Sequence, residues 1–198
     1  MAHSTYIIYH IYFIGNPFLK TAEERFEWIC LATRYRYSFP VMAELSRDQG
    51  CKFVTLINRL EASDRAIRQA LDHLMEAGWV MRNPGYGHPM RPEYILTERG
   101  SSYGPSALGI WDALREWKEE VVALERWPLP LLQLLLSGAG RFGEIKTLAA
   151  GITPRALAMA LSRLQESGLA TRAVIDGHPP TAEYSPTKWA RELMSNLG

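Results

Sequence analysis

Arg65, Arg68 and Gln69 carry planar hydrogen-bonding ends of the kind that pair with nucleobase edges. A guanidinium can offer two donors to guanine O6 and N7, and a carboxamide can bridge adenine N6 and N7. Their spacing puts all three on one helical face, opposite the apolar stripe Ala66/Ile67, Ala70/Leu71 and Leu74. Ser63 stands where such a helix needs a cap. Lys52, Arg82 and Arg91 add positive charge suited to phosphate. His88 lies in a Gly-His-Pro turn, a setting for turn-shaping or phosphate contact. No cysteine or carboxylate stands near it at metal-ligand spacing.

The same pattern recurs farther along the chain, at an offset of 90 residues. Ser63-Asp64-Arg65-Ala66-Ile67 falls on Thr153-Pro154-Arg155-Ala156-Leu157, Gly87-His88-Pro89 on Gly177-His178-Pro179, and Glu93-Tyr94 on Glu183-Tyr184. The second set of exposed positions is Thr153, Arg155, Ala158, Met159, Ser162 and Arg163. Arg141, Lys146, Arg172 and His178 surround them. Ala158 and Met159 stand where the first copy has Arg68 and Gln69, so hydrogen-bonding capacity is lower there. Small and apolar side chains can still meet a thymine methyl.

The elements that position these residues are legible from periodicity and caps. Thr21 opens a helix with capping-box form, whose apolar face is Phe26, Ile29, Cys30 and Thr33. Pro40 opens a short helix over 41–45. A further helix spans 53–60, with Phe53, Leu56, Ile57 and Leu60 on one side. Ser63 caps the next helix and Gly78 closes it. Short strands over 79–82 and 93–96 make a hairpin. In the second copy the prolines at 128 and 130 precede a helix over 131–136. Helices over 141–148 and 154–166 follow, then strands over 170–175 and 182–185. Between the copies, 107–126 predicts one long linker helix bearing Trp111 and Trp117, a shared spine that packs the two modules together or an interface for a second chain.

This order resembles the HxlR-type winged helix-turn-helix transcription regulators, a branch close to the MarR group. The resemblance rests on Arg141-Phe142-Gly143-Glu144-Ile145, on Gly151-Ile152-Thr153-Pro154-Arg155-Ala156-Leu157, on 161–169, and on Arg172 and Glu183-Tyr184. The first copy contributes Lys52-Phe53, Ser63 to Arg65, 71–82 and the closing run Tyr94-Ile95-Leu96-Thr97-Glu98-Arg99-Gly100. Ser185-Pro186-Thr187-Lys188-Trp189-Ala190 departs from that closing motif, and two fused modules depart from the usual single one. The resemblance implies a mainly α fold with small β-hairpins (α+β), built as two tandem winged helix-turn-helix domains joined by a long linker helix. The expected division is an apolar arm over 1–20, a first winged-helix domain over 21–104, a linker helix over 105–126 and a second winged-helix domain over 127–198. It implies a sequence-specific transcription regulator of double-stranded DNA, working as an intramolecular pseudo-dimer. A protein-interaction scaffold of the chromosome-segregation type and a plasmid or phage replication initiator are the alternative readings of paired winged helices.

Composition constrains the remainder. The 47% hydrophobic content suffices for two small cores. A net charge of +1 leaves DNA binding to a local basic face, because acidic residues cluster elsewhere, at Glu23, Glu24 and Glu27 and at Glu116, Glu119, Glu120 and Glu125. No phosphate loop, nucleophile motif or paired-carboxylate spacing points to catalysis, and no cofactor is expected. Cys51 adjoins Lys52, whose charge favours a thiolate, so redox sensing is one reading of it and structural filling the other. The two cysteines are too few for a disulfide framework, which points to a reducing, cytoplasmic setting. Residues 6–14 are almost wholly apolar but too short to span a bilayer, so no membrane partner is expected. That arm can pack on the chain's own core or, like the linker helix, join a second copy in a homodimer.

Overall fold

The computed structural model describes residues 21–85, 91–176 and 180–197. The apolar arm, His88 and His178 therefore lie outside the described residues. The first described helix, α1 (Ala22–Ala32), begins with the expected box. Thr21 Oγ1 accepts from the Glu24 amide at 3.1 Å, and the Glu24 carboxylate accepts from the Thr21 amide at 2.9 Å. Its inward face is Trp28, Ile29 and Ala32, with Thr33 buried just beyond. Helix α2 (Ser38–Arg47) starts two residues earlier than Pro40 predicts. A proline in the first turn forfeits no intrahelical hydrogen bond, so the helix can form around it. Every residue from Ser38 to Leu45 is buried.

Helix α3 (Phe53–Leu60) ends at Glu61 in the left-handed region, φ 47°. The chain turns through Ala62 into α4 (Asp64–Glu76), capped by Ser63 Oγ accepting from the Ala66 amide at 3.3 Å. Ile67, Ala70, Leu71 and Leu74 are buried along it as the periodicity requires. Gly78, φ 72°, turns the chain into β1 (Val80–Arg82). Strand β1 pairs antiparallel with β2 (Tyr94–Leu96), with Met81 opposite Ile95. Cys51 and Tyr94 exchange backbone hydrogen bonds of 3.0 and 2.9 Å, which ties the start of α3 to this hairpin. Thr97 then caps α5 (Glu98–Ser101), and its hydroxyl also donates to the Gly78 carbonyl at 2.7 Å. Gly100 sits directly on the Trp79 carbonyl, where any Cβ would collide.

The expected linker helix is two helices, α6 (Gly104–Glu116) and α7 (Val121–Leu124). Lys118 takes a left-handed conformation, φ 60°. Glu119 N–H returns to Leu114 O at 2.8 Å and Lys118 N–H to Arg115 O at 3.1 Å, the double bond of a Schellman ending. Glu116, Glu119 and Glu120 oppose the partial negative charge of this helix end, so the stop is held by the two backbone bonds and the left-handed Lys118 and not by charge.

Helix α8 (Pro128–Leu136) takes both prolines into its first turn and is buried through Leu135. Helices α9 (Phe142–Leu148) and α10 (Pro154–Glu166) follow. Thr153 Oγ1 caps α10 by accepting from the Ala156 amide at 3.2 Å. Gly168 (φ 65°) leads into β3 (Ala170–Ile175), paired antiparallel with β4 (Thr181–Pro186). Thr187 caps α11 (Lys188–Met194) and donates to the Gly168 carbonyl at 2.8 Å. The sequence departure at 185–190 therefore leaves the closing turn intact, because its one indispensable hydroxyl remains. A 3₁₀ turn, Ser195–Leu197, follows.

The two small cores expected are one. Ile29, Phe39, Leu71 and Trp79 belong to the same buried cluster as Leu129, Leu132, Leu161 and Leu193, with Ile110 and Leu114 of α6 between them. Helix α1 packs on α8, and α6 packs on both α2 and α11. Thr33 Oγ1 lies 2.8 Å from the Arg126 carbonyl, and Trp117 meets Trp189 edge-on at 5.5 Å. Among the described residues no helix is long and apolar enough to cross a membrane.

Candidate nucleic-acid interface

Helix α4 presents Arg65, Arg68, Gln69 and Asp72 to solvent. Its burial of Ile67, Ala70 and Leu71 fixes that orientation, so the polar face is a consequence of packing rather than a separate design. Together with Tyr35, Asp64, His73 and Glu76, these four line an open cleft of about 570 Å³. Arg68 is held from two sides. Its Nε lies 2.7 Å from Asp64 Oδ1, and its guanidinium stands 4.5 Å above the Phe53 ring. Tyr35 packs edge-on against His73, whose Nε2 is 2.9 Å from the Leu31 carbonyl. Lys52 is the exposed residue before α3, and Ser63 serves as a cap.

In the hairpin, Arg82 reaches back to the Tyr94 hydroxyl at 3.3 Å and to Glu93 at 3.9 Å while staying largely exposed. The exposed Arg91 guanidinium lies against Gly85. Geometry therefore brings Lys52, Arg65, Arg68 and Gln69 onto the helix pair and leaves Arg82 and Arg91 on the wing.

On α10, Thr153, Arg155, Met159 and Ser162 are exposed, Met159 at 63%. Arg155 is the second residue of its helix, as Arg65 is of α4. Arg163 is engaged by Glu125 at 3.3 Å and Glu166 at 2.8 Å, and Ser162 donates to Glu166 at 3.0 Å. Arg141 is the exposed residue preceding α9, and Arg172 is exposed on β3.

Cys51 is buried, its Sγ 3.6 Å from the Glu44 carbonyl. Burial pushes its thiol up to about 11, against a smaller downward pull from Arg59. That environment favours the neutral thiol and so the structural-filling reading of Cys51. Burial likewise raises Cys30 to about 11, and both thiols are free. Among the described residues no cluster of histidine, cysteine or carboxylate could hold a metal ion.

A charged cluster escaped the sequence reading. Glu44, 1% exposed, accepts from Arg59 Nη1 at 3.2 Å, Arg47 Nε at 3.3 Å and Trp111 Nε1 at 3.3 Å. Arg47 also pairs with Asp112, and Arg59 with Asp48. One carboxylate thus joins α2, α3 and α6. The available signal was a glutamate inside the otherwise apolar run Val41-Met42-Ala43-Glu44-Leu45.

Two short helices, a capped exposed helix and an antiparallel hairpin define the winged helix-turn-helix class. Residues 121–198 match the HxlR-like helix-turn-helix family, and the chain belongs to it. It is 38% identical over 68 residues to the uncharacterized HTH-type transcriptional regulator YdeP of Bacillus subtilis, covering 34% of this chain and 53% of that one. It is 34% identical over 72 residues to the B. subtilis regulator YkvN, covering 36% of this chain and 61% of that one. The putative regulatory protein MalR of Fusobacterium mortiferum is 37% identical over 73 residues, 36% of this chain and 69% of that one. The chain thus spans between half and two thirds of the first two relatives. No solved structure matches it. YdeP and YkvN are HTH-type transcriptional regulators, not enzymes, and the family implies DNA binding.

Proposed function

We propose that the chain is a sequence-specific transcription regulator that grips duplex DNA with two winged-helix modules acting as an intramolecular pseudo-dimer. The observation that carries this reading is the equivalence of α4 and α10. Each runs 13 residues from a hydroxyl cap, places an arginine second, and ends before a glycine of positive φ and a hairpin. Each hairpin is then closed by a threonine bonded back to that glycine's carbonyl. Arg65 and Arg155 meet phosphate at the helix starts, Arg68 and Gln69 meet base edges, and Arg82, Arg91 and Arg172 flank them from the wings. Lys52 and Arg141, at the starts of α3 and α9, add phosphate contacts. Arg163 braces α10 against Glu125 instead of contacting DNA. The exposed apolar side chains Met159 and Val174, at 63% and 59%, favour the protein-interaction scaffold as the second reading.

Fluorescence anisotropy with labelled random-sequence duplex, across a salt series, tests the proposal. Wild type should bind and weaken steeply with salt, and R65A/R68A should lose much of that affinity. Absence of binding at low salt, or binding indifferent to both arginines, overturns it in favour of a protein partner.

A further inference from the structure

We infer that the two recognition helices read unlike half-sites, a guanine-bearing one under α4 and a thymine-rich one under α10, an inference resting on the DNA-binding reading above. The two helices share their length, their hydroxyl caps and the arginine at their second position. Those shared parts set a common register on the sugar-phosphate backbone and carry no base preference. The remaining exposed positions diverge.

In α4, Asp64 Oδ1 lies 2.7 Å from Arg68 Nε and Asp64 Oδ2 3.4 Å from Nη2. The carboxylate therefore grips one long edge of the guanidinium, and the Phe53 ring supports its face at 4.5 Å. A guanidinium held this way keeps its end, with one outward N–H on each Nη, for a pair of acceptors. Guanine O6 and N7 present such a pair in the major groove. Orienting the side chain before binding lowers the entropy lost on contact. Gln69, exposed beside it, supplies a donor and an acceptor for adenine.

The matching positions of α10 are Pro154, Ala158 and Met159, all exposed. No carboxylate, guanidinium or carboxamide stands there. A methyl and a thioether, the latter 63% exposed, offer only van der Waals contact, and the apolar feature of the major groove is the thymine C5 methyl. Two identical subunits must present the same reader twice. One chain with two readers is free of that symmetry, so its operator is bipartite and not a palindrome.

Selection from a random duplex library with the full chain, read by sequencing, tests this directly. The expected site pairs a half containing guanine with a thymine-rich half. P154D/A158R/M159Q, which rebuilds the Asp-Arg-Gln set on exposed positions of α10, should turn the second half guanine-bearing. Its affinity for the wild-type site should fall on the order of tenfold to a hundredfold. Asp64→Asn should relax the guanine preference at one position while the salt dependence of binding stays. A wild-type palindrome with guanine in both halves, or a single half-site, overturns the inference and leaves DNA binding standing. No enrichment of any site overturns both.

Discussion

Replacing Glu44 by alanine tests whether the buried carboxylate is what fastens the helix-turn-helix to the middle of the molecule. Trp111 Nε1 would lose its only described acceptor inside the core, a cost of about 1–3 kcal/mol. Arg47 and Arg59 are about a third exposed and keep Asp112 and Asp48, so water and those carboxylates limit their share. That share is about 1 kcal/mol in all. The total, about 2–4 kcal/mol, falls below the roughly 3–5 kcal/mol of a fully enclosed pair. For a chain of this size it lowers Tm by roughly 5–15 °C. Glu44→Gln keeps an oxygen for Trp111 and removes the charge, so its loss should be smaller, about 1–2 kcal/mol. Urea unfolding followed by tryptophan fluorescence gives both values. An alanine variant within about 0.5 kcal/mol of wild type would refute the reasoning. So would a glutamine variant as damaged as the alanine one, since the tryptophan bond would then contribute nothing.

Thr97→Val and Thr187→Val should each cost about 1–2 kcal/mol in urea unfolding, by removing a cap and a bond to the glycine carbonyl; a loss in only one would break the equivalence of the two closing turns. Cys51 should resist iodoacetamide at pH 8 in the native protein, because a thiol near 11 is only roughly a thousandth ionised there; fast labelling without unfolding would contradict its burial. Both thiols are raised in the folded chain, so the unfolded chain loses those protons first, and stability should decline as pH rises from about 9 through about 11. Denaturant melts of wild type against C30A/C51A across that window check it, the double variant showing the shallower decline. Arg155→Ala should flatten the slope of log affinity against log salt by about 0.9, one phosphate contact; an unchanged slope would remove α10 from the interface.

Local structure was written plainly where caps and periodicity agreed. Thr21, Ser63, Thr153 and both hairpins were legible because each uses a short-range device: a hydroxyl three residues from an orphan amide, or a glycine where φ must be positive. The break in the linker is not legible because the apolar periodicity continues past Glu116, whereas the Schellman ending rests on two backbone bonds and a left-handed Lys118, where a glycine would be the usual signal. The two readings of Cys51 could not be separated in sequence for a related reason, since adjacency to Lys52 says nothing about burial. Arg68 was found on its helix face, but its two supports were not, because Phe53 reads from periodicity as core. The single core is legible only as far as the linker helix, whose apolar face reads as a spine for both modules; the rest of it is not. It depends on α1 meeting α8 across about a hundred residues, a pairing no local pattern encodes.

That unbroken core has a consequence for dosage. Regulators that assemble from two chains become active as the square of their concentration when scarce, so modest changes in expression are amplified. Under the pseudo-dimer proposal α4 and α10 are already mounted on one folded body, so two chains need not meet before DNA is bound. Operator occupancy would then follow copy number in simple proportion, down to the last few molecules in a cell.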